Sequence, residues 1–193
     1  MKLRGFIPET HEELRQLRLF YPGRLGEDSL SWRSLLTDSE ELQPDADWHE
    51  LRRAALETGL VPTLATAMPP TGRLGAIEAA ALQSAAGMLA DPRMTCLRWR
   101  GYEHQQHVTA STRVVDGNIY TEAALTPDDL SEGCYLPSFA WDSHGALAWG
   151  SRPYPDSVVI AAGDDIFRAL HQNEDIETVS ITRSTIIPPS ASD

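Results

Sequence analysis

The stretch "VVDGNIY", Val114 to Tyr120, constrains this chain more than any other. Asp-Gly is the favoured pair for a two-residue type I′ loop, which needs positive φ at both central positions. If Val115 and Asn118 flank the loop, Val108, Ala110, Thr112 and Val114 lie opposite Leu125, Ala123, Thr121 and Ile119. That face is small and mostly apolar. Turning either strand over would place Arg113 or Glu122 among those residues, so turn chemistry and hydrophobic pattern agree on one register. The opposite face, with Arg113 across from Tyr120 and Ser111 across from Glu122, reads as solvated.

The rest of the second half continues in strands. Residues 94–100 form a candidate strand that reverses through "GYEHQQ" into the hairpin. "SFAWDSHGALAWG" reads as a second hairpin with Asp142 and Gly145 at the ends of a type I turn, and with Phe139 and Trp141 facing Ala148 and Ala146. Apolar residues on both of its faces make it either central to a core or half of a partner surface. "SVVIAAG" reads as a buried strand, "DDIFRALHQN" as a helix capped by Asp164 or Asp165, and "ETVSITR" as a closing strand.

The first half reads helical. Thr10 and Glu13 form a candidate capping box ahead of Leu14, Leu17 and Phe20, with Pro22-Gly23 as terminator. Thr37 and Glu40 repeat the capping pattern after "EDSLSWRSLL". "PDADWHELRRAALETG" places Trp48, Leu51 and Ala55 on one helical face between Asp45 or Asp47 as cap and Gly59 as terminator, and "AIEAAALQSAAGMLADP" is an alanine-rich helix suited to close packing on a sheet. The expected fold is α+β, with N-terminal helices packed on one or two antiparallel sheets built from the C-terminal hairpins. At 193 residues we expect a single domain, helical over 1–93, β over 94–187, with a loose tail at 188–193.

Composition narrows the function. The net charge is −12, with 10 basic against 14 acidic residues over 1–93 and 6 against 14 over 94–193. Phosphate neutralisation supplies most nucleic-acid affinity, so a chain without a Lys/Arg stripe is not expected to bind nucleic acid or an anionic membrane. No apolar window is long enough for a spanning helix, and Pro8 with its neighbouring acids interrupts any signal core, so a cytoplasmic location is expected. Cys96 and Cys134 match no metal spacing. No phosphate loop or dinucleotide fingerprint occurs, and we expect no cofactor and no metal.

Glu103, His104 and His107 are the candidate catalytic residues, since an acid and two histidines are the groups of a metal or proton-transfer site. On a strand, however, His104 and His107 point to opposite faces, which favours a solvated turn. "DSH" at 142–144 holds triad letters, but adjacent side chains in a tight turn cannot converge as a nucleophile, base and orienter must. Asp128-Asp129 and Asp164-Asp165 read as caps. Trp32, Phe139, Trp141, Leu147 and Trp149 are candidate partner-facing residues, with Asp128, Asp129, Glu132 and Asp156 as a candidate acidic surface.

"LADPRMTCLRWRG", followed by "RVVDGNIY" and "LTPDDL", resembles the repeating unit of the EspG-like type VII secretion chaperones: a helix ending Leu89-Ala90-x-Pro92, a strand, and a hairpin turning at Asp116-Gly117. The resemblance spans residues 89–130 and implies a cytosolic, non-catalytic protein that clamps a helical secretion substrate. Three readings follow. The first is a chaperone-like or adaptor-like protein that binds a protein partner. The second is an immunity-type inhibitor whose acidic surface neutralises a basic toxin. The third is a small metal-dependent hydrolase built on Glu103, His104 and His107, with His144 or His171. The first is the expectation carried forward, with homodimerisation through hairpin 137–150 as an accompanying one.

Overall fold

The computed structural model describes residues 3–4, 6–59, 66–68, 71–102 and 111–188. In chain order its strands are β1 (Leu3–Arg4), β2 (Ile7–Pro8), β3 (Arg15–Phe20), β4 (Gly23–Leu25), β5 (Asp28–Leu30), β6 (Met94–Trp99), β7 (Thr112–Val115), β8 (Asn118–Leu125), β9 (Phe139–Asp142), β10 (Leu147–Gly150), β11 (Ser157–Ala162) and β12 (Glu177–Ile181). The helices are α1 (Trp48–Glu57), α2 (Ala76–Gly87) and α3 (Asp164–His171). Eight strands make one antiparallel sheet in the order β12-β3-β11-β10-β9-β6-β8-β7, and two small ribbons, β1-β2 and β4-β5, stand apart from it. The protein is therefore mixed α and β on an antiparallel sheet, and the hairpins join into one sheet rather than two.

The Asp-Gly hairpin keeps the register its turn dictates: Val115 pairs with Asn118, Val114 with Ile119, Arg113 with Tyr120 and Thr112 with Thr121. Asp116 and Gly117 both take positive φ, 47° and 81°. Residues 108 and 110 lie outside the described residues. The faces need correction at the tip. Leu125 and Thr121 are buried as expected, but Val114 and Ile119 are exposed, at 70% and 47%. Tyr120, assigned to a solvated face, is instead buried with Leu97 and Phe139. The sheet is covered on both sides here, and a phenol ring on the second face has neighbours that a solvated surface would not supply.

The second hairpin slips by two residues from its expected pairing. Trp141 lies opposite Ala148 and Phe139 opposite Gly150. The cause is the Asp142 side chain, which accepts the backbone N–H groups of His144 at 2.7 Å and of Ala146 and Leu147 at 2.8 Å each, and so builds a longer loop than a tight type I turn.

The largest departure is at the N-terminus. The expected helix over 10–22 is a 3-10 turn at Glu9–His11 followed by strand β3. Leu14, Leu17 and Phe20 do have helical spacing, but Leu17, Leu19 and Tyr21 also alternate with Gln16, Arg18 and Phe20, and pairing on both edges, with β11 and β12, makes the strand the better use of these residues. Thr37 and Glu40 bond as a capping pair, yet only a turn follows. Helices α1 and α2 form where expected, with Asp47 accepting the Glu50 N–H at 2.9 Å and Gly59 at φ +69° beyond the last turn of α1. α3 is preceded by Gly163 rather than capped by Asp164 or Asp165, both of which lie in its first turn. The helices are thus at 48–57, 76–87 and 164–171, not gathered in an N-terminal half.

α2 and α3 cover one face of the sheet. Their Ala79, Leu82, Ala85, Ala86, Ile166, Phe167 and Leu170 pack on Leu17, Leu19, Cys96, Ala140, Trp149, Val158 and Ile160. On the other face Phe20 and Val179 meet Trp32, Leu35, Leu42 and Trp48, which fasten residues 23–58 over one end of β3 and β12.

Candidate functional site

Glu103, His104 and His107 lie outside the described residues, so the structure bears on none of them. Among the described residues no three His, Cys, Asp or Glu side chains come together as a metal site. Trp32, Leu147 and Trp149 are completely enclosed and Phe139 and Asp156 nearly so. They sit inside this chain rather than on a face it could offer. Trp32 Nε1 donates to the Tyr21 carbonyl at 2.7 Å and Trp149 Nε1 to the Pro137 carbonyl at 3.1 Å, the bonds a buried indole needs. Hairpin 137–150 occupies the middle of the sheet, so Trp141, half-buried, is what remains of the surface expected to meet a second copy. Asp128, Asp129 and Glu132 are exposed, and Asp129 is engaged by Thr126, whose N–H and hydroxyl each donate to it at 2.8 Å.

One hydrogen-bond chain has the residue types of a nucleophilic triad. Thr10 Oγ1 lies 2.9 Å from His11 Nδ1, and His11 Nε2 lies 3.0 Å from Asp142 Oδ1. Its geometry is structural. His11 is buried, Thr10 is its immediate neighbour, and Asp142 Oδ1 also accepts from Ala146 and Leu147, so the pair pins the N-terminal turn onto the β9–β10 loop. Burial pushes the Asp142 carboxyl up, but the hydrogen bonds from Leu147, His11, Ala146 and His144 outweigh it and hold it below the ordinary Asp value. Elsewhere Trp99, Tyr102, Tyr135 and Tyr154 pack ring to ring, with Tyr102 stacked on Tyr135 at 4.1 Å and Arg73 4.3 Å over Tyr135. These rings fill one another's space.

The surface with the most distinctive chemistry lies along β12. That strand ends the sheet, paired with β3 on one side and with no described strand on the other. Between it and the loop after Trp32 lies a hollow of about 510 Å³, and a second of about 600 Å³ lies within residues 36–51, with Leu36, Glu40 and Glu41 lining both. Thr178, Val179 and Ser180 form one wall of the first, with Asp38, Glu40 and Glu41 against Arg33; Glu40, Glu41, Asp45, Asp47 and Glu50 line the second, which has no β12 residue in its lining. Between Arg33 and Arg52 the sequence has these six acids and neither Lys nor Arg.

A buried cation positions this acidic loop. Arg18, fully enclosed on the second face of β3, donates from Nη1 to the Pro44 and Ala46 carbonyls at 3.1 and 2.8 Å, and from Nε to Ser157 Oγ at 2.8 Å. Its guanidinium stacks 4.4 Å from the Phe20 ring and pairs with Asp156 at 3.4 Å. Burial lowers the Arg18 pKa and raises that of Asp156, the cost of holding both charges away from water. At the start of β12 the Glu177 carboxylate accepts the Trp32 and Arg33 N–H groups at 2.7 and 2.8 Å, which fixes the near end of the groove. Glu40 is held by the Thr37 N–H and hydroxyl, both at 2.9 Å, and its pKa is lowered first by that backbone bond and then by the hydroxyl.

Searches of protein-family models, of curated proteins and of solved structures find no match to this chain. Among the described residues no helix is long and apolar enough to cross a membrane.

Proposed function

We propose that this chain is a binding protein without catalytic activity, and that it takes a basic segment of a protein partner along β12. The observation that carries the reading is the coincidence of an open strand edge with three carboxylates, Asp38, Glu40 and Glu41, facing one arginine in the hollow beside it, and with Asp45, Asp47 and Glu50 in the next hollow, which Glu40 and Glu41 also line. An edge strand offers backbone N–H and C=O groups to an added strand, and alternate side chains of that strand would then meet the groove wall. The carboxylates select Lys and Arg at those positions and speed the encounter. An adaptor or chaperone and an immunity-type inhibitor share this chemistry and differ in what the partner does. The EspG-like resemblance over residues 89–130 is carried by the sequence alone and is compatible with the adaptor or chaperone form of this reading. The reading places the chain in the cytoplasm with its partner.

The test is affinity capture from source cells with the wild-type chain and with Glu41→Lys/Asp45→Lys/Glu50→Lys. A stoichiometric partner that is released as salt rises and lost in the triple variant is the expected result. A partner retained equally by the variant would refute the groove as its seat.

A further inference from the structure

His171 ends α3 and lines the hollow beside β12 together with Arg33, Asp38, Glu40 and Glu41. The acids come from the loop on one face of the sheet, where Val179 packs with Trp32, and His171 comes from the helix on the other. They meet at the open edge of β12, where an added strand would run. His171 is exposed, and its Nδ1 lies 3.3 Å from Thr178 Oγ1 on β12 itself. A hydroxyl can accept or donate, so this contact serves the neutral ring and the protonated one alike. Protonation therefore adds a charge to the hollow and needs no turn of the ring.

The other charged groups of the elements around α3 are largely engaged. Arg168 on the helix itself is turned to Asp165 at 3.0 Å, and Asp164 stands in the first turn. Arg15 on β3 lies 3.8 Å over the Phe167 ring, which is 5.4 Å from that of His171. β11 has no ionisable side chain, and the one ionisable residue of α2, Glu78, is buried. Glu177 on β12 accepts the Trp32 and Arg33 N–H groups, and Glu174 and Asp175 follow α3 in the chain. In the hollow itself, then, three carboxylates stand against Arg33 and, when it is charged, His171. Histidine ordinarily changes charge between about pH 5 and 8, a range through which ordinary carboxylates and lysines keep theirs.

We propose that His171 makes this hollow pH-sensitive: it admits a basic strand when the ring is neutral and holds that strand more weakly when the ring is charged. The inference rests on the reading of β12 as the seat of a basic partner segment, and adds the regulation of that site. One exposed charge changes affinity by about two- to fivefold, an effect that salt screens.

The probe is the peptide acetyl-Lys-Val-Lys-Val-Lys-Val-Lys-amide, titrated into the full chain by calorimetry and by amide chemical shifts at about pH 8 and about pH 5.5. Shifts at Thr178, Val179 and Ser180 are expected, with the dissociation constant about two- to fivefold higher at the lower pH. His171→Gln, with its fold checked by circular dichroism, should make the two constants equal. His49→Gln, which removes the exposed histidine next to Glu50, should leave the ratio as it is in the wild type. An affinity equal or greater at the lower pH in the wild type, or a ratio that persists in His171→Gln, would overturn the proposal and leave the partner-binding reading standing. Absence of shifts along β12 at both pH values would refute that reading, and this inference with it.

Discussion

Asp142 should be the most costly single carboxylate in the molecule to remove. Asp142→Ala deprives three backbone N–H groups and His11 Nε2 of their acceptor. His144 is exposed and can turn to water, whereas Leu147 and His11 are enclosed and Ala146 is half-buried. At about 1–3 kcal/mol for each buried donor left unsatisfied, three such groups cost about 3–9 kcal/mol. That is a large part of the 5–15 kcal/mol by which domains are ordinarily stable. Guanidinium unfolding at 25 °C would measure it. His11→Ala and the double variant complete a cycle in which a coupling of about 1–3 kcal/mol is expected between the two residues. The pH dependence has a definite sign. The folded-state pKa of Asp142 lies below its ordinary value of 3.8, so its contribution is present above that value and lost as pH falls through the lower, folded one. The stability gap between wild type and Asp142→Asn should therefore narrow below about pH 4. A loss of less than about 1 kcal/mol in Asp142→Ala at neutral pH would refute the claim that this carboxylate organises the loop.

Arg18→Met should cost about 3–5 kcal/mol, because Asp156 stays buried without its cation, and should raise hydrogen exchange in residues 44–47 as the loop loses its anchor. Gly150→Ala drives a Cβ into the Phe6 carbonyl, so a loss of about 1–3 kcal/mol or more in thermal unfolding is expected. The Tyr120 phenol is pushed up to about 12, chiefly by burial. Ultraviolet titration should show it ionising well after an exposed tyrosine, with its share of stability present below pH 10 and lost between about 10 and 12. Glu41→Lys/Asp45→Lys/Glu50→Lys, all at exposed positions, should change stability little, by about 0.5 kcal/mol per substitution at most, while abolishing partner capture.

What the sequence disclosed depended on how local the determining interactions are. The Asp116-Gly117 register and the helix that starts at Trp48 rest on residues within a few positions of one another, and both are read correctly from the letters, with Asp47 rather than Asp45 as the cap. Strand β3 is different: Arg15 to Phe20 satisfies a helical and an alternating pattern together, and the choice falls to partners more than 130 residues away in β11 and β12. The pairing beyond Asp142 differs by two residues from that of a type I turn because one side chain accepts three N–H groups there, a count that no turn rule supplies. His11 gave no signal of its tie to Asp142 across 131 positions. The tryptophans were legible as large apolar surface but not as inside or outside, and Trp32 and Trp149 prove to be core. The acidic groove was visible in principle, as six acids without a Lys or Arg from 34 to 51, but charge counted over halves of the chain dilutes it.

The central claim is that a partner lies along β12 over these acids. Hydrogen–deuterium exchange on the chain alone and with its captured partner tests that directly. Protection on binding should appear at residues 36–51 and 177–181 and leave the α2 and α3 face unchanged. Protection confined instead to that helical face, or to the Val114–Ile119 tip, with the β12 amides exchanging as before, would contradict it.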